Sequence, residues 1–277
     1  MKSITLNNDV EMPLLGIGTF KSAGDDCVNS VRMAIEAGYR MIDTAEGYKN
    51  EEQVGQGIAD SGIDRKQLFI VTKVSFKSFE NAREAVLASL QKLRTDYLDL
   101  VLLHWPFGNY YAAWRELEKL YAEGILRAIG VSNFEPDRLI DIISFNKVVP
   151  AVNQIETHLF CQRQVERKWM EKYNVRPMAY APLGQAKRNE MFTLPEVTAL
   201  AEKYGRTPAQ ILLHYLIQLG IIVIPKSIHE ERIKENLNVF GFELTESELE
   251  TLRALDTAIP MVGTPANPEK VEKFMPR

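Results

Sequence analysis

Residues 68–104 read LFIVTKVSFKSFENAREAVLASLQKLRTDYLDLVLLH. Two apolar runs, Leu68 to Lys73 and Leu98 to His104, flank the stretch Phe79 to Leu93, in which Ala82, Val86, Leu90 and Leu93 recur at helical spacing. A strand, a helix and a second strand in this order require a crossover, and so parallel pairing of right-handed sense. The alternation continues both ways. Strands are predicted before it at Leu15 to Thr19 and Arg40 to Asp43, and after it at Ala128 to Val131, Ala151 to Asn153, Arg176 to Tyr180 and Ile221 to Ile224.

Helical stretches separate these runs. Asp25 to Glu36 opens on acids and stops at Gly38, and Glu51 to Ser61 stops at Gly62. Trp114, Leu117 and Leu120 mark a helix before Gly124, and further helices are predicted at 136–144, 164–173, 196–203, 208–218, 230–238 and 246–255. Thr207-Pro208 has the cap-then-first-turn form. The seventh repeat therefore holds two helices. Pro260, Pro265, Pro268 and Pro276 predict a tail with little regular structure.

Eight strand-helix alternations in 277 residues favour a closed (β/α)8 TIM barrel over a doubly wound sheet, with residues 1–277 as a single domain. Ser3 to Asn7 and the possible turn Asn8-Asp9 suggest an N-terminal hairpin that closes one end of the barrel, and Glu246 to Leu255 a C-terminal helix outside it. Gly16 and Gly18 are followed by Thr19, Phe20 and Lys21, with no third glycine in place, so neither a Rossmann fingerprint nor a phosphate loop is present.

Composition narrows the function. Thirty-seven acids against 33 bases give a charge of -4, with no basic block to follow a phosphate backbone, so nucleic acid is not the expected partner. Asn7, Asn8, Asp9 and Glu11 interrupt any signal-peptide core, and the apolar runs are too short to span a bilayer; a cytoplasmic protein off the membrane is expected. Cys27 and Cys161 are too few for a disulfide framework, and His104, His158, His214 and His229 lack metal-ligand spacing; no metal is expected.

A barrel gathers the C-terminal ends of its strands at one mouth. That geometry brings together Asp43, Lys73 and His104 from three consecutive strands, with Tyr48 five residues beyond Asp43. A lysine ammonium beside Tyr48 favours the phenolate and lowers the phenol's pKa, Asp43 balances Lys73, and His104 donates to the same reacting oxygen. Such a set protonates a carbonyl oxygen as hydride reaches its carbon. Singly, each residue has a plainer account as helix cap, packing residue, solvated lysine or structural donor.

Asp43-Thr44-Ala45, Tyr48-Lys49-Asn50-Glu51, Thr72-Lys73 and Leu103-His104-Trp105-Pro106 match, in order, the pattern of the aldo-keto reductases. The chain resembles that family from Met12 to Pro268, in particular its short bacterial diketogluconate and methylglyoxal or aldehyde reductases. The resemblance implies NADPH-dependent reduction of aldehydes or ketones by direct hydride transfer without a metal, with Asp43, Tyr48, Lys73 and His104 catalytic and Tyr48 the general acid. It implies a monomer acting on a small carbonyl substrate.

Ser132, Asn133 and Gln154 offer donors and acceptors suited to a nicotinamide carboxamide, with loop capping as the alternative for the first two. The resemblance assigns them to the cofactor, together with Gly18, Thr19, Asp43, Leu183 and Tyr180, the last as a flat stacking surface; Ala181 replaces a serine that many relatives carry. Lys226 and Arg232 suit charge pairing with an adenosine 2′-phosphate and Ser227 donation to it, with Glu235 and Asn236 near adenine, so NADPH is preferred to NADH. Phe20, Trp105, Tyr48 and His104 are expected to line the carbonyl pocket. Ser75, where relatives place an aromatic, and a compact loop after Pro106 predict a wide or polar, open pocket. A cofactor-binding regulatory barrel with little turnover, like the subunits of some potassium channels, and a purely structural barrel are the competing readings.

Overall fold

The structure, a computed structural model, describes residues 2–275. Eight parallel strands form its centre: β3 (Ile17–Gly18), β4 (Met41–Asp43), β5 (Phe69–Val74), β6 (Leu100–Leu103), β7 (Ile129–Ser132), β8 (Val152–Glu156), β9 (Arg176–Tyr180) and β10 (Ile222–Val223). They lie side by side in chain order, as repeated crossovers require. All six residues of β5 and all four of β6 are buried, the mark of strands covered on both faces.

The helices are α1 (Gly24–Ala37), α2 (Glu51–Ser61), α3 (Ala82–Leu93), α4 (Tyr110–Ala122), α5 (Pro136–Phe145), α6 (Gln164–Lys172), α7 (Arg188–Phe192), α8 (Pro195–Tyr204), α9 (Pro208–Gln218), α10 (Glu230–Leu237), α11 (Glu246–Arg253) and α12 (Pro268–Phe274). Their ends follow local chemistry. Gly38 ends α1 at φ 117, a conformation an L side chain resists. Thr207 and Gln210 form a reciprocal capping box on α9, with Pro208 in the first turn. Trp114 of α4 is wholly buried and anchors that helix to the sheet; truncating it to alanine costs about 3–5 kcal/mol.

The expected closed barrel is corrected. The sheet wraps through 292° and leaves its edges 8 Å apart. Across the gap stand a single isolated bridge, Leu15 to Val223, and backbone hydrogen bonds from Gly16 N–H to Val223 O (2.9 Å) and Gly18 N–H to Pro225 O (3.1 Å). The reason is local: both edge strands are two residues long, and Pro225, having no N–H, stops the ladder on one side. The architecture is (β/α)8-like but open.

The hairpin consists of β1 (Ser3–Thr5) and β2 (Glu11–Pro13), paired antiparallel around a turn in which Asp9 takes φ 65. Asn7 and Asn8 donate to Pro150 O (3.1 Å) and Arg127 O (2.9 Å), backbone just ahead of β8 and β7. The hairpin thus covers the N-terminal ends of the strands and leaves their C-terminal ends to the site.

Two helices were not legible in the sequence. The seventh repeat carries α7 besides α8 and α9, and the tail carries α12. Pro268 opens α12 rather than breaking it, because a first-turn proline loses no intrahelical bond and Asn267 accepts from Glu269 N–H. Pro276 lies outside the described residues. No helix among the described residues is long and apolar enough to cross a membrane. Both cysteines are free and buried, and burial raises their thiol pKa values, that of Cys161 to about 12.

Candidate active site

Parallel register carries each reactive side chain to the same end of the sheet. Asp43 closes β4, Lys73 is the fifth residue of β5, and His104 follows β6 directly, its N–H bonded to Val74 O at 3.1 Å. Tyr48 closes a single 3-10 turn, Glu46–Tyr48. Two neighbours hold that turn. Asn50 donates to Thr19 O and Ser22 O, both at 2.9 Å, and accepts from Thr44 Oγ1 at 2.8 Å; buried Glu51 accepts from Thr72 Oγ1 at 2.6 Å. The Tyr-Lys-Asn-Glu sequence is therefore a clamp on the tyrosine's loop.

Lys73 Nζ donates to Asp43 Oδ1 at 2.6 Å and to Thr44 O at 2.7 Å, and Gln154 Nε2 donates to Asp43 Oδ2 at 2.8 Å. The ammonium stands 5.0 Å from the centre of the Tyr48 ring, and that ring lies 5.7 Å from the His104 ring, edge on. The four residues form one cluster. Burial pushes the Asp43 carboxyl up and the Lys73 ammonium down, each opposed by the charge of the other. His104 is driven down to about 3, chiefly by burial and then by Lys73, so its imidazole is neutral at ordinary pH.

Tyr48 differs from expectation. Its phenol is raised well above its ordinary value, first by burial, then by the negative charge of Asp43 and by Tyr180. The carboxylate paired with Lys73 cancels the ammonium's influence, and desolvation decides the sign. The group is a held acid, not an incipient phenolate.

Beside the tetrad runs a polar chain. Tyr180 donates to Asn133 Oδ1 at 2.8 Å, Asn133 Nδ2 donates to His104 O and to Ser132 Oγ, both at 3.1 Å, and Ser132 Oγ donates to Gln154 O at 2.9 Å. Asn133 takes φ 63 to reach these partners. Neither Ser132 nor Asn133 caps α5, whose N-cap is Glu135, but each side chain caps backbone at a strand end, Gln154 O and His104 O, as the loop-capping alternative expects. Gln154 spends its donors on Asp43 and the Met178 sulfur, and its Oε1 has no donor among the described residues.

At the sheet's open edge, Gly18 comes against the segment Ile224 to Lys226: a Cβ on it would lie 3.0 Å from Ile224 O. Thr19 is buried with its hydroxyl on Asp43 O at 3.0 Å, which makes it a tie between strands, and Leu183 is half-buried against the core. Lys226 and Arg232 are exposed, with no ion pair to either among the described residues, while Ser227 Oγ accepts from His229 N–H at 3.1 Å beside the start of α10. Asn236 is buried, and Glu235 accepts from Thr207 Oγ1 at 2.6 Å, which binds α10 to α9. An amide oxygen with no protein donor beside the tetrad, among the described residues, and two cations without an ion pair fit a phosphorylated dinucleotide.

Next to the tetrad runs an aromatic row that the sequence did not reveal. Phe20 stands 4.9 Å from Tyr48 as expected, and Trp105 follows His104 at 6.4 Å. Phe107 stacks on Trp105 at 5.5 Å, and Phe274 of α12 covers both, at 6.4 and 6.0 Å. Ser75 is followed by Phe76, which meets Phe107 at 5.6 Å and Phe274 at 5.7 Å. Ser75 itself has polar partners, its N–H on Glu46 and its hydroxyl accepting from Lys77 N–H, and beside it this aromatic row lies under the tail. The cap Asn267-Pro268 followed by Val271 and Phe274 was the signal that could have found it. A cavity of about 1150 Å³ lies by this row, between Pro106 to Tyr110 and the tail; none of the tetrad lines it.

An anchor was missed as well. Buried Glu156 accepts from His158 Nε2 at 3.0 Å and from the N–H groups of Met261 and Val262 at 2.6 and 2.9 Å. Burial alone would raise this carboxyl, but His158 and the two amides outweigh it and hold it below its usual value. The tail is tied to the end of β8.

Residues 14–257 match the Aldo/keto reductase family. An aldo-keto reductase of Mycolicibacterium smegmatis is 45% identical over 259 residues, covering 92% of this chain and 90% of its own, and the glyoxal reductase of Bacillus subtilis is 42% identical over 260 residues, covering 92% of each. The crystal structure of MGS-M4, an aldo-keto reductase from a Medee basin deep-sea metagenome library, superposes with a TM-score of 0.93 at 40% identity, covering 96% of this chain and 99% of its own. These relatives support the reductase reading over the regulatory one. The chain belongs to the aldo/keto reductase family, the NADPH-dependent oxidoreductases that reduce aldehydes and ketones to alcohols.

Proposed function

We propose that this reductase works through Tyr48 as general acid, with His104 as second donor, Lys73 as the charge that receives the phenolate, and Asp43 as the residue that holds Lys73. NADPH supplies the hydride. The supporting observation is the Tyr48 ring with the His104 imidazole 5.7 Å away on one side and the buried Lys73 ammonium 5.0 Å away on the other, burial raising the phenol and lowering the imidazole. A carbonyl oxygen set between Tyr48 and His104 accepts from both. As its carbon gains hydride the oxygen takes the phenolic proton, and the Lys73 charge, 5.0 Å from the ring, stabilises the phenolate left behind until solvent reprotonates it.

Gln154 Oε1, Ser132 and Asn133 hold the carboxamide of the nicotinamide, Tyr180 supplies its stacking face, and Lys226, Ser227 and Arg232 take the 2′-phosphate. Gly18, with no Cβ, lets its strand come against Ile224 at the sheet's open edge, and with Leu183, Glu235 and Asn236 it would complete the groove that holds the cofactor. Phe20 and Trp105 flank the substrate. The likeness to a glyoxal reductase makes small dicarbonyls the first substrates to try. One domain acting as a cytoplasmic monomer completes the reading, in line with the family resemblance.

Following NADPH absorbance with methylglyoxal tests the acid. Tyr48→Phe should lower kcat by about 10²–10⁴ while fluorescence titration shows NADPH still bound. A variant that keeps more than about a tenth of wild-type turnover would remove Tyr48 from the chemistry.

A further inference from the structure

The tail brings a cation to the pocket. Lys270 Nζ of α12 stands 4.1 Å from the centre of the Trp105 indole and donates to Val262 O at 3.1 Å. An ammonium has three donors, so two remain. No carboxylate among the described residues forms an ion pair with it: the acid that acts on it is Glu156, whose oxygens are engaged by His158 and the Met261 and Val262 amides. Glu46, the acid of the tyrosine's turn, is likewise committed, to Ser75 N–H and the Ser78 hydroxyl.

Its position is held from three sides. Glu156 fixes the strap ahead of α12, Phe274 stacks on Trp105 and Phe107 behind it, and the Val262 carbonyl holds the ammonium itself. Trp105 is the neighbour of His104, with ring centres 6.4 Å apart and planes at 27°, so the cation lies one indole away from the imidazole. On the opposite wall Lys21 Nζ stands 5.5 Å from the ring centre of Phe20. Both aromatic walls are edged with positive charge.

We propose that Lys270 is a specificity-determining residue that selects carbonyl substrates bearing a carboxylate, the oxo acids in which a short carbon chain separates the carbonyl from the acid. The proposal rests on the reading that Tyr48 and His104 receive the carbonyl oxygen. With the oxygen there, a carboxylate carried toward Trp105 would meet the two free donors of Lys270, which stands 4.1 Å from the indole centre. An ester of the same shape offers them no charge.

The test is a matched pair, 4-oxobutanoate and its methyl ester, reduced with NADPH by the wild type, Lys270→Met and Lys270→Arg. The wild type should prefer the acid by about tenfold in kcat/KM, or about 1.4 kcal/mol, and the preference should shrink as salt is added. Lys270→Met should cost the acid about tenfold, chiefly in KM, and leave the ester within about twofold; Lys270→Arg should keep most of the preference. Equal losses for acid and ester in Lys270→Met would make the lysine a fastener of the strap and overturn the proposal, as would a wild type that favours the ester. Reduction of neither compound nor methylglyoxal by the wild type would overturn the reductase reading itself, and this inference with it.

Discussion

Replacing Lys73 by methionine isolates what the buried pair costs and what it does. The side chain is 1% exposed and gives hydrogen bonds of 2.6 Å to Asp43 Oδ1 and 2.7 Å to Thr44 O. Methionine keeps most of the volume and removes both. Asp43 is left with the single amide donor of Gln154 at 2.8 Å. Removing one partner of a buried ion pair typically costs about 3–5 kcal/mol, because the other charge stays buried without compensation. Asp43 has an escape, since its carboxyl is already raised by burial and rises further without the ammonium. Protonation caps the loss, and about 3 kcal/mol is expected near neutral pH.

The sign with pH follows. A carboxyl whose folded pKa is raised adds stability below its unfolded value, near 4, and that contribution is lost as pH rises through the folded value. The deficit of Lys73→Met against wild type should therefore be small at pH 4 and grow toward neutrality. Asp43→Asn combined with Lys73→Met leaves a neutral amide beside Gln154 and should recover stability to within about 1 kcal/mol of wild type, while turnover stays lost in both variants. Urea unfolding of the cofactor-free protein at several pH values reads the stabilities, and NADPH consumption reads the turnover. A single variant within about 1 kcal/mol of wild type at neutral pH, or a double variant no more stable than the single, would refute the argument that Asp43 depends on Lys73.

Three further outcomes are expected. His104, held neutral down to about pH 3, contributes stability that is full above its ordinary value near 6.5 and lost as pH falls toward 3; His104→Gln should flatten acid unfolding over that window, and an unchanged curve would contradict the burial assigned to it. Glu156→Ala should free the Met261 and Val262 amides and speed hydrogen exchange across 261–275 by about 10–100-fold at the same pH; protection that persists would show the strap is held by other contacts. Replacing Lys226 and Arg232 together by alanine should raise KM for NADPH by at least about tenfold and leave NADH nearly unaffected, whereas equal effects on both would move the 2′-phosphate elsewhere.

What was legible in the sequence, and what was not, divides along physical lines. The sequence of strands could be read in outline and helices α2 and α9 to the residue, because local period, glycine stops and a proline-led cap speak for themselves. Asp43, Lys73 and His104 could be gathered because parallel register puts strand ends together whatever lies between. The closure of the sheet could not, since it turns on whether two two-residue edges meet, and Pro225 denies one of them a donor. Counting prolines in the tail hid α12, where Pro268 begins a helix that Asn267 caps. Tyr48 shows the deeper limit. Residue identity said that a lysine stood near a phenol, which predicts a lowered pKa. The sign depends on what surrounds the pair: the ammonium stands 5.0 Å from the ring but is held at 2.6 Å by the Asp43 carboxylate, and burial, first, then the charge of Asp43 and Tyr180, raises the phenol. Burial wins, and it raises the phenol where residue identity alone had pointed the other way.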